Sequence, residues 1–96
     1  MGDVNYGDML KIAVYVRDND CGDFDSLVGC LLSDVRTGRH LDIYESCFAY
    51  PDFARSFCRN HANGTIDITI GTLNSKIWRE SRGIKGCFRR SKIGSG

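Results

Sequence analysis

The chain has 96 residues, 42% of them hydrophobic and 26% charged, with one proline and a formal net charge of +1. That length suits a single domain with a modest core, and the composition excludes wholesale disorder and a proline-rich linker. The net charge hides two poles: from Lys76 onward seven basic residues stand against Glu80 alone, a net +6, whereas residues 1–75 carry six basic and eleven acidic residues, a net −5.

In chain order, the opening MGDVNYGDML has no cationic region followed by an apolar run, so no signal peptide is expected. The longest apolar stretch, residues 27–32, falls far below the roughly 20 residues that span a bilayer. The expectation is a cytoplasmic protein without membrane association. In that setting Cys21, Cys30, Cys47, Cys58 and Cys87 are expected as thiols. Their odd number also argues against a complete disulfide framework.

Residues 9–17 (MLKIAVYVR) alternate. Leu10, Ile12, Val14 and Val16 share one side, and Lys11, Ala13, Tyr15 and Arg17 the other. This pattern predicts a half-buried strand, and the β-branched residues favour it. Residues 18–23 (DNDCGD) break it with loop chemistry. Phe24, Leu27, Val28, Leu31, Leu32 and Val35 then recur at helical spacing, predicting an amphipathic helix. Asp23 or Asp25 caps its start and Thr37-Gly38 its end. Gly29, inside that helix, suggests a close approach by a neighbouring strand.

Residues 40–44 (HLDIY) predict a short strand with Leu41 and Ile43 on one face. The pattern in 45–50 is undecided. Pro51 suits the first turn of a second helix reaching about His61. Its apolar face would be Phe53, Ala54, Phe57 and Cys58, with His61 as a further candidate and Arg55 and Arg59 opposite. Asn63-Gly64 is a strong turn signal. Residues 65–70 (TIDITI) predict a strand with Ile66, Ile68 and Ile70 facing the core, and 76–81 a further strand or a short helix.

This element order predicts an α+β fold. It is a small two-layer sandwich, with a mostly antiparallel sheet of three to four strands and two helices on one face. Residues 1–81 would form the compact domain, and 82–96 a basic tail containing glycine and serine.

Three sets of residues could carry function. The first is the basic C-terminal segment, where Lys76, Arg79, Arg82, Lys85, Arg89, Arg90 and Lys92 interleave with Trp78 and Phe88. Cations neutralise phosphates and release counterions, and aromatic faces stack on unpaired bases. The bland alternative is a solvated face with Trp78 anchored in the core. The segment points to a binding protein for nucleic acid or a ribonucleoprotein.

The second set is Asp18, Asp20, Asp23, Asp25 and Asp34, whose carboxylates could imitate phosphates and occupy a basic groove. They support a second reading, a small inhibitor or adaptor that blocks a nucleic-acid-handling protein. The bland alternative is a polar turn and a helix cap. The spacing is not that of an EF-hand: the glycine stands at Gly22, and no glutamate occupies the twelfth position.

The third set is Cys47, Cys58, His61 and Cys87, a conceivable Cys3His zinc set. Without any C-x-x-C pair, buried apolar thiols are the expected state, and no metal or cofactor is expected. A cysteine paired with His40 or His61 could act as a nucleophile. No nucleophile elbow, P-loop or dinucleotide-binding glycine pattern accompanies either, so no enzyme activity is expected.

Overall fold

The computed structural model describes the backbone of residues 5–95 and the side chains of residues 5–81. Among the described residues there are five helices: α1 (Tyr6–Asp18), α2 (Phe24–Arg36), α3 (Leu41–Ala49), α4 (Pro51–Ala62) and α5 (Ile66–Ser95). There is no strand among them, so the expected α+β sandwich is replaced by an all-helical bundle. α1 packs on α3, α4 and α5, and α2 packs on α3 and α4. No described helix is long and apolar enough to cross a membrane.

The two helices expected from periodicity are present. Asp23 caps α2, its Oδ1 accepting the Ser26 N–H at 2.8 Å. Leu27 and Leu31 are fully buried, each contributing about 1.5–3 kcal/mol. At the other end Gly38 takes φ +79°. The Arg39 N–H reaches the Asp34 carbonyl at 2.8 Å and the Gly38 N–H the Val35 carbonyl at 2.9 Å, the two bonds of a Schellman stop. Gly29 has no heavy atom near an added Cβ, so no close approach explains it. Pro51 opens α4, which buries Ala54, Phe57 and Cys58.

The three expected strands are helical instead, and 76–81, open between strand and helix, is helical as well. In α1 the buried side chains include Met9, Ile12, Ala13 and Val16, which follow i, i+3, i+4 and i+7. Ala13 and Tyr15, expected to face outward, are buried, whereas Leu10 and Val14 are only partly so. Ile12 and Val16 are four apart, a spacing that satisfies a period of 2 as well as one of 3.6. That coincidence made the alternation look sufficient. Asn5 caps the helix by accepting the Asp8 N–H at 3.2 Å.

The 40–44 segment opens α3. Leu41 is 52% exposed, and the buried set is Ile43, Ser46 and Cys47, again i, i+3 and i+4. The segments 65–70 and 76–81 belong to one helix, α5, which buries Ile66, Ile70 and Leu73. Asn63-Gly64 does turn the chain, but between helices. Gly64 takes φ +85°, and the Thr65 N–H bonds the Asn60 carbonyl at 2.7 Å, closing α4 with a second Schellman stop.

At ~1.5 Å per residue α5 is about 45 Å long, against about 20 Å for α1. That length accounts for the molecule's 47 Å long axis.

Candidate nucleic-acid interface

α5 carries every basic residue of the C-terminal segment on one continuous helix. Positions 82, 85, 89 and 92 recur at i, i+3, i+7 and i+10, a spacing that keeps to one side of a helix. Arg82, Lys85, Phe88, Arg89, Arg90 and Lys92 lie beyond the described side chains. Of the three residues within them, Lys76 is half-buried, its Nζ 5.4 Å from the centroid of the Tyr6 ring. This cation–π contact anchors α5 to the start of α1. Arg79 is exposed, and Trp78 is 45% exposed, between a core anchor and a free surface ring.

The acidic set is brought together only loosely, and most of its members are engaged by the fold. Asp18 pairs with Arg17 at 3.1 Å. Asp20 stands in the left-handed region, φ +57°, and its Oδ1 meets His61 Nε2 at 2.5 Å, tying the α1–α2 loop to the last turn of α4. Asp23 is the α2 cap, and the bond from Ser26 N–H holds its carboxyl below the usual range. Asp25 lies exposed in the first turn of α2. Asp34 accepts the Tyr15 hydroxyl at 2.6 Å and faces His40 Nδ1 at 2.9 Å. These two bonds, the tyrosine's first, hold Asp34 below the usual carboxylate range.

Among the described residues no three of His, Cys, Asp and Glu converge to hold a metal ion. Cys47 and Cys58 are buried, and the Cys87 side chain lies outside the described residues. His61 Nε2 is taken by Asp20, and its Nδ1 is buried without a hydrogen-bond partner. Cys21, Cys30, Cys47 and Cys58 are free thiols. Burial pushes Cys21 and Cys47 up to about 12 and Cys58 up to about 11. Buried thiols kept protonated in this way are poor nucleophiles and poor ligands.

Two features escaped the sequence reading. One is an aromatic face where α2, α3 and α4 meet. Phe24 packs edge-on against Phe48, which packs on Tyr44 with ring centroids 4.9 Å apart. The Arg55 guanidinium lies 4.7 Å from the Phe24 centroid, and Phe48 is 50% exposed. Once 41–49 is helical, Leu41, Tyr44 and Phe48 stand at i, i+3 and i+7. That stripe was the available signal, hidden by the strand assignment. The other feature is the Tyr15–Asp34–His40 cluster beside a groove between α1 and α3. No local motif announces it, because its members lie on three separate segments.

Comparison with protein-family models, with curated proteins and with solved structures finds no match to this chain.

Proposed function

We propose that this is a non-enzymatic binding domain that contacts nucleic acid, free or within a ribonucleoprotein, through α5. The observation that carries the reading is the net +6 of the residues from Lys76 onward against the net −5 of the rest, with the basic residues strung along a single helix. Arg79, Arg82, Arg89 and Arg90 are assigned to phosphate oxygens, which the planar guanidinium fork fits. Trp78 or Phe88 is assigned to stacking on exposed bases. The acidic body would orient the molecule by repelling the phosphate backbone.

The second reading, an inhibitor that docks Asp18, Asp20, Asp23, Asp25 and Asp34 into a basic surface, is less favoured. Asp18, Asp20, Asp23 and Asp34 already hold loops, caps and histidines. Releasing them to a partner would cost the fold those bonds.

The test is fluorescence anisotropy of labelled single-stranded RNA and duplex DNA titrated with the full chain across a salt series. Binding should weaken steeply with salt, with a log–log slope of about −0.7 to −0.9 per phosphate engaged. Neutralising Arg82, Arg89 and Arg90 to glutamine should flatten that slope. Absence of binding at low salt, or affinity unchanged in the neutralised variant, overturns the proposal and favours a protein partner.

A further inference from the structure

α1 and the start of α3 enclose a groove of about 500 Å3, a volume suited to a small molecule. Its apolar lining comes from Leu10, Val14 and Ile43, with the Tyr15 and His40 rings beside them. The charged side chains at its rim are paired within the protein, and the Asn19 amide nitrogen is bonded. Lys11 Nζ pairs with Asp42 at 3.1 Å, Asp18 pairs with Arg17 at 3.1 Å, and the Asn19 side-chain amide donates to the Tyr15 carbonyl at 3.0 Å. The charged groups are thus paired in opposite signs, and the groove offers a charged ligand no unpaired counter-charge.

His40 brings a ring acceptor to this groove. Its Nδ1 faces Asp34, while its Nε2 has no hydrogen-bond partner among the described residues. The tautomer follows from the neighbours. Asp34 accepts from the Tyr15 hydroxyl and is ionised at neutral pH, so it can only accept from the ring as well. Nδ1 therefore carries a hydrogen towards Asp34, and in that tautomer Nε2 presents the ring's lone pair.

Two further constraints hold the ring. The Tyr15 ring meets it edge-on with centroids 5.3 Å apart. The His40 backbone sits at φ 57°, ψ 32°, in the left-handed region that a branchless glycine would occupy without strain. As N-cap of α3 it makes no side-chain capping bond, so capping does not explain a histidine at this strained position. The Asp34 bond and the Tyr15 contact hold the histidine there instead, and they fix its ring beside the groove.

We propose that the α1–α3 groove binds a small uncharged aromatic alcohol of the phenol class, its ring on Leu10, Val14 and Ile43 and its hydroxyl donating to His40 Nε2. A hydrocarbon of the same shape would strip water from Nε2 and return no bond, which disfavours it. The site is independent of the α5 reading: it lies on other elements and takes a ligand of another class.

The experiment is a two-dimensional 15N–1H NMR titration of the full chain with phenol and, separately, with toluene. Phenol should shift the amides of Leu10, Val14, Tyr15 and Ile43 saturably, about tenfold more tightly than toluene, the ratio expected of one net hydrogen bond. His40→Gly suits the left-handed backbone and leaves Leu10, Val14 and Ile43 unchanged, so it should fold and lose the preference for phenol. A long-range 15N spectrum of the ring in the wild-type chain should show protonated Nδ1 and bare Nε2, with Nε2 moving when phenol binds. Equal response to phenol and toluene, no saturable shift at the groove, or an undiminished preference in His40→Gly would each overturn the proposal.

Discussion

Ile68 and Ile70 lie two residues apart on α5 and on opposite sides of it: Ile70 is 7% exposed and Ile68 is 70% exposed. A strand would point both at the core, whereas a helix separates them by about 200°. Ile70→Ala should therefore destabilise the protein by about 2–5 kcal/mol, and Ile68→Ala should change stability by less than about 0.5 kcal/mol. Urea denaturation of the two variants measures both. Equal, large losses would restore the sheet.

Gly29 is exposed in the middle of α2 with open space where a Cβ would stand. Its φ is not in the left-handed region. Gly29→Ala should stabilise the protein by about 0.5–1 kcal/mol, through the lost freedom of the unfolded chain and the better helix propensity. A rise in the urea midpoint at constant slope is the expected result. A fall would mean that a neighbour packs against this position after all.

The cysteines should differ sharply in reactivity. Cys21, Cys47 and Cys58 are buried, and burial pushes their thiols up, whereas Cys30 is partly exposed. In a Cys87→Ser background at pH 8, a colorimetric disulfide reagent should label Cys30 first. The other three should react far more slowly, because burial both shields them and keeps them protonated. All four should react quickly in denaturant. Rapid labelling of Cys47 in the native protein would contradict its burial.

Three carboxylates make stability depend on acid. Asp34 is held low by Tyr15 and His40, Asp42 by Lys11, and Asp23 by the Ser26 N–H. A carboxyl whose folded pKa is depressed stabilises the fold above its unfolded pKa, and that contribution is lost as pH falls through the folded value. The urea midpoint should thus hold near neutrality and drop below the ordinary carboxylate range of about 4. Asp34→Asn should flatten the acid limb, because it removes one of the three groups. An unchanged limb would show that the Tyr15–Asp34 bond makes no difference between the folded and unfolded chains.

Local chemistry was enough to place α2 and α4 and their ends. Asp23, Gly38, Pro51 and Gly64 act through bonds and dihedrals within a few residues of themselves, so they read the same in any fold. The charge division was likewise legible, since it depends on composition alone. The helicity of α1, α3 and the first turns of α5 was decided by packing. In α1 and α5 the pairs Ile12/Val16 and Ile66/Ile70, four apart, satisfied both periods, whereas in α3 the Leu41/Ile43 pair fitted a strand and packing chose Ile43, Ser46 and Cys47 instead. Intrinsic propensities differ by at most about 0.7 kcal/mol per residue among ordinary side chains, less than burying one Ile or Leu contributes.

The sites that depend on distant meetings were beyond any linear pattern. Tyr15 and Asp34 are 19 residues apart, and Asp20 and His61 are 41 apart. The sequence by itself determined which segments can cap and turn, and where positive charge gathers. Only the tertiary structure decided which faces those helices bury, because burial depends on what stands opposite. That choice set Ile68 outside, and it gathered Tyr15, Asp34 and His40 around one groove.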